Sequence, residues 1–237
     1  DAAAFLDDLP DGYRVLQVPG TEFGAYRWGY TVDQPLPALT ERPLVTRDLL
    51  PLGSAAAMDL VFALDDRFQD GTLDVASVAP VARLLGVDTV WVTGDVAFDR
   101  FRLARPEIVD ALLTSPGAAD TGLLPPVRFG EPTTMQPDRP MVDEQSISDG
   151  RVGSAIAPVT LVAVDDPVAT VRVKTDEVVL SGDGAGIVDA AGAGIIDGTE
   201  LIRYSASFDD GLDDGLVDAL RSASRLVVTD TNRDRAH

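Results

Sequence analysis

The residues best suited to binding chemistry lie in a long, non-periodic segment near the start of the chain, which reads VPGTEFGAYRWGYTVDQPLPALTERPLVTRD over residues 18–48. Within it, Tyr26, Trp28 and Tyr30 could present flat apolar faces with polar rims. Such faces suit sugar rings, because the aromatic body packs against the ring while the polar edge forms hydrogen bonds. The alternative is a structural loop whose aromatic rings cover a sheet.

Charged side chains of the same segment could bind the polar part of a ligand. Arg27, Arg42 and Arg47 carry planar guanidinium groups that suit phosphate or carboxylate. The acidic side chains could accept hydrogen bonds from hydroxyl groups or pair with those arginines; they are Glu22, Asp33, Glu41 and Asp48. Long loops within compact domains are often functional, which favours a binding role for this one.

A glycine-rich turn in the second half of the chain is another candidate site. SGDGAG (residues 181–186) follows a predicted strand and precedes a predicted helix, where a dinucleotide-binding loop would lie. However, the third glycine of that motif would fall on Ile187, and Asp183 places a negative charge inside the loop. We favour a tight turn whose small residues let the helix pack closely. Nucleotide or small-molecule binding stays open as an alternative.

The composition argues against several classes of chemistry. The 237 residues include no cysteine, which excludes a thiolate zinc site. Their one histidine, His237, is the last residue, so we expect neither a Ser-His-Asp triad nor a multi-histidine metal site. The acidic stretch SFDDGLDDG (residues 207–215) lacks the alternating carboxylates of an EF-hand loop. The formal net charge of −20 would repel phosphate backbones, so we expect no nucleic-acid partner. We assign no catalytic residue, metal or cofactor to this chain.

The pattern of strands and helices predicts an α/β fold with two mixed or parallel-sheet units. The first unit covers residues 1–115 and carries the long loop 19–53. A Pro-rich, irregular connection follows over 116–158, and residues 159–237 form a second βαβ unit, which we expect to be truncated. The chain starts without Met on a helix-like run and ends just past an apolar run, so we expect a fragment of a longer protein.

Individual elements follow from local patterns. In the first unit, strands at Tyr13–Val18 and Asp88–Val92 should lie in one sheet. In the second, strands near 177–181, 201–205 and 225–229 alternate with helices and should be parallel neighbours. A further hairpin is predicted from the strand-like runs VTLVAV and ATVRV, which flank Asp165-Asp166-Pro167.

Several stretches together resemble the mycobacterial and actinobacterial GT-C type membrane arabinofuranosyltransferases, the large alpha-(1->3)-arabinofuranosyltransferase family. They are RVLQVPG, YRWGYTVD, LVTRD, LLGVDTVWVTGD, VVLSGDGAGIVDAAGAGIIDG and LVVTDTNRDRA, and they are spread through most of the chain. The resemblance implies a multi-pass membrane protein that transfers arabinofuranose from a polyprenyl-phosphate arabinose donor to cell-wall arabinan.

The resemblance also implies which part of such a protein this chain represents. The family's catalytic carboxylate is expected on an extracytoplasmic loop between membrane helices, and no apolar run here approaches the roughly 20 residues that span a bilayer. We therefore expect a soluble portion without the catalytic base, on the extracytoplasmic (periplasmic) face of the cell membrane. Its partners would be the transmembrane portion of the same polypeptide and the arabinan glycan.

On this interpretation the long loop positions glycan or donor above the membrane cavity. We expect Arg47 and Asp48 to form an anchoring pair. The residues expected to contact the ligand are Tyr26, Arg27, Trp28 and Tyr30. The alternative within the same family is a purely structural scaffold whose loop only packs.

Overall fold

The structure is a computed structural model that describes residues 1–47, 53–101, 103–132, 156–173, 176–208, 215–223 and 225–230. It has the α/β architecture that the sequence predicts, with helices packed on a five-stranded mixed sheet and a three-stranded parallel sheet. A small two-stranded hairpin extends from the long loop near the start of the chain.

Helices and strands are interspersed along the described residues. The first half contains α1 (Ala2–Asp7), β1 (Arg14–Val18), β2 (Gly24–Tyr26), β3 (Gly29–Val32), β4 (Leu44–Val45), α2 (Ala55–Asp70), α3 (Val78–Leu84), β5 (Val87–Thr93), α4 (Phe98–Phe101) and α5 (Pro106–Thr114). The second half contains β6 (Val127–Phe129), β7 (Val159–Ala163), β8 (Glu177–Ser181), α6 (Gly184–Gly192), β9 (Leu201–Tyr204), α7 (Gly215–Ser222) and β10 (Arg225–Val228).

The five-stranded sheet has the order β4-β1-β5-β7-β6. Strand β1 pairs in parallel with β4 and β5, which confirms that the two strands predicted for the first unit lie in one sheet. All seven residues of β5 are buried, because layers of structure cover both faces of the sheet at its centre. Its four apolar residues are buried there together with the polar side chains of Asp88, Thr89 and Thr93.

Strand β7 does not form the predicted hairpin with residues 169–173. Instead it pairs antiparallel with β5 on one side and with β6 on the other, so that it belongs to the five-stranded sheet. The hairpin prediction is therefore wrong, because both hydrogen-bonding edges of β7 are already occupied. The strand that we assigned to the second unit completes the sheet of the first.

The three-stranded sheet has the order β10-β8-β9, and both pairings are parallel. This confirms the predicted arrangement of parallel neighbours. One hydrophobic core extends from the first sheet to the second; it includes Leu16 of β1, Val90 of β5, Leu180 of β8 and Val188 of α6. The division of the chain into two units stays a prediction, and residues 133–155 of the proposed connection lie outside the described ranges.

Local sequence signals mark both ends of helix α2, which is why its boundaries could be predicted. Ser54 precedes it, and the Ser54 hydroxyl accepts a hydrogen bond from the Ala57 amide at 3.4 Å. Gly71 ends the helix with a φ of +66°, a conformation that glycine adopts without steric cost. Between these caps the apolar face of α2 packs on the core and on α6.

Candidate functional site

A cleft of about 300 Å³ lies where the β2–β3 hairpin meets the carboxyl ends of β1 and β5. We call it the aromatic cleft, and its wall is completed by the first residues of α1 and by the 3-10 turn Leu36–Ala38. Its lining residues are Asp1, Ala2, Ala3, Gln17, Tyr26, Trp28, Pro35, Leu36, Leu39, Trp91, Thr93, Asp95 and Val159. Two residues selected from the sequence, Tyr26 and Trp28, are therefore brought together here.

The hairpin is held against the segment that follows β5. The Arg27 amide donates to the Asp95 carbonyl at 2.8 Å, and the Ala97 amide donates to the Ala25 carbonyl at 2.9 Å. Tyr26 forms an isolated antiparallel bridge with Val96 between these bonds. Backbone pairing thus fixes the hairpin on the sheet, so the positions of its side chains are determined by the tertiary structure.

The aromatic rings of Tyr26 and Trp28 form one wall of the cleft. The two rings are stacked, with centroids 5.0 Å apart and planes inclined by 10°. Tyr26 is buried, whereas Trp28 is 57% exposed, so the stack supports the indole from beneath and leaves much of it open. The Trp28 Nε1–H donates to Asp95 Oδ2 at 2.7 Å, which fixes the orientation of the indole. The result is a rigid, accessible aromatic face.

Burial raises the pKa values of both Asp95 and Tyr26. Burial raises the pKa of the Asp95 carboxyl above its ordinary value, although the Trp28 hydrogen bond and the nearby Arg27 charge act in the opposite direction. Burial, together with the Asp95 charge, also raises the pKa of the Tyr26 hydroxyl. Tyr26 therefore stays neutral at physiological pH, and its hydroxyl donates to Gln34 Oε1.

Gln17 places a buried amide at the base of the cleft. Only 3% of the residue is exposed, and its Nε2 donates to Gln34 Oε1 at 3.3 Å and to Thr93 Oγ1 at 3.4 Å. Gln34 in turn donates through its own Nε2 to the Thr21 carbonyl at 3.2 Å. Among the described residues the Gln17 Oε1 atom has no hydrogen-bond partner.

Sequence reasoning missed Gln17, Trp91 and Asp95. A signal was nevertheless present, because Gln17 interrupts the apolar run of β1 and Asp95 follows β5 within VWVTGD. The carboxyl ends of neighbouring parallel strands meet at one edge of a sheet, where ligands bind in many α/β proteins. The sequence did predict that these two strands share a sheet, so their terminal polar residues could have been paired.

Arg27, which the sequence predicts to contact the ligand, is buried inside the protein. Its side chain is 0% exposed, and its Nη2 lies 3.9 Å from Glu107 Oε1. Arg27 and Trp28 are the two residues of the turn between β2 and β3, and their side chains have different surroundings. The rings of Tyr26 and Trp28 line the cleft, whereas the Arg27 guanidinium is buried near Glu107.

Tyr30 lies on the same hairpin but does not line the cleft. It is 58% exposed, and the Arg100 guanidinium lies 3.9 Å from the centre of its ring. Arg100 also donates a hydrogen bond to the Tyr30 hydroxyl. Tyr30 is therefore accessible, but it belongs to a separate surface.

Arg47 anchors the end of the long loop to helix α2. Its Nη1 lies 3.3 Å from Asp65 Oδ2 and also bonds to Asp66, and its guanidinium packs over the ring of Phe62. Asp65 accepts a further bond from the Gly20 amide at 2.7 Å, so one buried carboxylate holds both ends of the loop. Burial raises the pKa of Asp65, although these bonds oppose the shift. Asp48, the expected partner of Arg47, lies outside the described residues.

The glycine-rich turn serves packing. Its helix, α6, begins at Gly184, whose amide donates to Asp59 Oδ2 of α2 at 2.6 Å. The Asp183 carboxylate accepts from the Gly186 amide at 3.1 Å. These carboxylates occupy the N–H groups that a phosphate would need, which confirms the structural interpretation of the turn and argues against nucleotide binding there.

We expect Gly184→Ala to destabilise the fold by about 1–3 kcal/mol, because overpacking a close contact has that cost. An added Cβ at Gly184 would lie 2.5 Å from the Asp59 carbonyl oxygen. Denaturant unfolding of the chain measures the effect. Gly117→Ala is a matched control, since an added Cβ there meets nothing within 4 Å. Equal unfolding midpoints for the two variants would contradict the packing role.

Neither a metal-binding cluster nor a membrane-spanning helix occurs among the described residues. No group of three or more acidic, histidine or cysteine side chains within the described ranges could hold a metal ion. Within those same ranges no helix has the length and apolarity needed to cross a membrane. Residues 209–214 of the acidic stretch lie outside them.

The chain matches one protein family along its whole length. The family model described as Alpha-(1->3)-arabinofuranosyltransferase, N-terminal GT-C domain, matches residues 1–237. The chain is 34% identical over 134 residues, 56% of its length, to the alpha-(1->3)-arabinofuranosyltransferase of Mycolicibacterium smegmatis. It is 30% identical over 138 residues, 58% of its length, to the Mycobacterium tuberculosis protein of the same name.

Solved structures agree with this match. A cryo-EM structure of the arabinofuranosyltransferase AftD from mycobacteria, in a mutant form, covers 98% of the chain with a TM-score of 0.70 and 25% identity. A second AftD structure covers 85% with a TM-score of 0.63 and 26% identity. The chain spans 9–10% of the length of the two curated relatives and 16–17% of the solved chains. It belongs to the alpha-(1->3)-arabinofuranosyltransferase family.

Proposed function

We propose that this chain is a non-catalytic portion of a membrane arabinofuranosyltransferase and that its aromatic cleft positions glycan or donor. The observation that carries the proposal is the stack of Tyr26 on Trp28, which holds an exposed indole face beside buried polar groups. Sugars have apolar C–H faces and polar hydroxyl edges, so a rigid aromatic wall next to hydrogen-bonding groups matches both.

Membership of the family supports a proposal for the activity of the full-length protein. We propose that the full-length protein transfers arabinofuranose from a polyprenyl-phosphate arabinose donor to cell-wall arabinan, with this portion on the extracytoplasmic face of the membrane. The transmembrane portion of the same polypeptide would be its direct partner and would supply the catalytic base. Within this chain we assign the Asp95 carboxylate, which accepts the Trp28 indole N–H, to ligand binding.

A scaffold role is the second candidate, and a specific observation favours it. Arg27, Arg47 and the ring of Tyr30 all contact other groups of this chain, so most of the long loop is occupied by internal packing. If the loop acted only as a scaffold, the aromatic cleft would be a gap between packed elements.

Saturation-transfer NMR separates these two roles. The full-length protein is mixed with a neutral arabinofuranose oligosaccharide at millimolar concentration, and transfer from protein to ligand protons is recorded. We expect transfer that is strongest for the C–H protons facing the indole and that is lost in Trp28→Ala. Because other parts of a long protein could also bind glycan, the difference between wild type and variant is the decisive signal. The same transfer in both would support the scaffold role.

A further inference from the structure

We infer that the aromatic cleft takes a neutral, hydroxyl-bearing glycan and not the phosphate-bearing donor, and that Gln17 accepts a hydrogen bond from a hydroxyl group of that glycan. The inference rests on the proposed function in one respect, namely that the cleft binds sugar. It then decides between the two ligands that the proposed function leaves open, and it assigns a specificity-determining residue.

The charge of the cleft excludes a phosphate group. Its described lining contains the acidic residues Asp1 and Asp95 and no lysine or arginine side chain. Sites for phosphate or phosphodiester groups need cationic side chains or clustered backbone N–H groups. The Arg27 guanidinium is buried and does not line the cleft, although its charge acts to lower the pKa of Asp95. A phosphate in the cleft would therefore face carboxylates.

The orientation of the Gln17 amide follows from the network behind it. Gln34 Oε1 accepts from the Tyr26 hydroxyl, and Gln34 Nε2 donates to the Thr21 carbonyl, so the Gln34 amide is fixed. Only a donor can therefore face Gln34 Oε1, and Gln17 must present its Nε2 there. The Gln17 Oε1 atom is then the end of the amide left for another partner.

A buried acceptor without a donor is costly, and the described residues supply no donor for Gln17 Oε1. A sugar hydroxyl is a suitable donor because it can rotate its O–H bond toward the oxygen. Asp95 offers a second acceptor on the same wall, beside the indole. A ligand that stacks on Trp28 and donates hydroxyl hydrogens to Gln17 and Asp95 would satisfy these groups together.

The size of the cleft is consistent with a short stretch of glycan. Its volume of about 300 Å³ lies at the small end of ligand pockets. Leu36, Leu39 and Trp91 add apolar surface to its lining. A few sugar rings fit such a space, with their C–H faces against the aromatic side chains and their hydroxyls toward β1 and β5.

Binding measurements on the full-length protein test this inference. The probes are a neutral arabinofuranose oligosaccharide, arabinofuranose 5-phosphate and inorganic phosphate. Each is titrated against wild type, Gln17→Leu, Asp95→Asn and Trp28→Ala. The binding that Trp28→Ala abolishes is counted as binding in the cleft. For the neutral probe we expect an approximately tenfold weaker Kd in Gln17→Leu, because one hydrogen bond is lost and an acceptor is removed. Its Kd should change little between low and high salt, and phosphate should not compete.

A series of monodeoxy oligosaccharides keeps the test decisive if Gln17→Leu fails to fold. With wild-type protein, removal of the hydroxyl that Gln17 binds should weaken the Kd about tenfold, while most other deoxy positions change it less. In a folded Gln17→Leu variant that particular deoxy probe should lose no further affinity, since the two changes remove the same contact.

Three outcomes are distinguishable. Selective loss at one deoxy position without phosphate competition supports the inference. The inference is overturned if Trp28-dependent binding is equal for all deoxy probes. It is also overturned if phosphate displaces the neutral probe and Asp95→Asn tightens binding. Both outcomes leave the proposed function intact. Absence of any Trp28-dependent binding removes both.

Discussion

Replacing Trp28 with alanine should raise the KM for the arabinan acceptor about 10- to 30-fold in the full-length enzyme, with a smaller change in kcat. The magnitude corresponds to loss of one exposed aromatic contact at a binding hot spot, about 1.4–2 kcal/mol. The effect falls mainly on KM because the indole contacts the bound sugar and not the bond that reacts. Steady-state assays with a defined arabinofuranose acceptor measure it.

Tyr30→Ala is the matched control for this prediction. Tyr30 and Trp28 lie on the same hairpin and are exposed to nearly the same degree, 58% and 57%, but only Trp28 lines the aromatic cleft. Tyr30→Ala should leave the KM within about twofold of wild type, since a surface change away from the site has little effect. Equal effects of the two substitutions, or none from Trp28→Ala in a folded protein, would show that the cleft does not bind acceptor.

Replacing Arg42 with methionine should destabilise the chain by about 3–5 kcal/mol, which is the usual cost of leaving a buried charge unpaired. Arg42 Nη2 donates to both carboxylate oxygens of Asp88, at 2.8 and 2.7 Å, and both side chains are almost fully buried. Its Nη1 also donates to the Leu6 and Pro10 carbonyls, each at 3.3 Å. Thermal unfolding should show a Tm about 6–20 °C lower.

Two further variants distinguish the cost of leaving Asp88 buried without a partner from the cost of losing an ion pair. The double variant Arg42→Met/Asp88→Leu should recover much of the stability, because an apolar pair of similar volume often replaces a buried ion pair without loss. Arg221→Met breaks an exposed pair with Asp218 and should change stability by less than about 1 kcal/mol. If Arg42→Met unfolded at the wild-type temperature, the proposed anchoring of the long loop would be wrong.

This anchoring explains how the fold accommodates so long a non-periodic segment. Arg42 ties its second half to β5 and to α1, while Asp65 ties its beginning at Gly20 and its end at Arg47 to α2. The β2–β3 hairpin between these points is paired by backbone bonds to the residues after β5. Arg42 and Arg47 therefore fix the path of the loop, and Tyr26 and Trp28 are left to line the cleft.

Local patterns in the sequence determined the elements themselves. The β-forming runs of β1 and β5, the Ser54 and Gly71 caps of α2 and the parallel strands β8–β10 follow from side-chain periodicity and from the special backbone of glycine, which act over a few residues. The same patterns identified Tyr26 and Trp28 as residues able to bind a sugar. They also allowed SGDGAG to be read as a packing turn.

The tertiary structure alone decided where these residues point and what surrounds them. Arg27 and Trp28 are neighbours in sequence, but the hairpin sends one into the protein and the other toward the cleft. Strand β7 belongs to the first sheet because it pairs with β5 on one side and with β6 on the other. No local sequence pattern indicates these pairings. Gln17 and Asp95 line one cleft only because β1 and β5 lie side by side. Contacts between residues far apart in sequence depend on the packing of whole elements, so they cannot be inferred from the spacing of residues in any one segment.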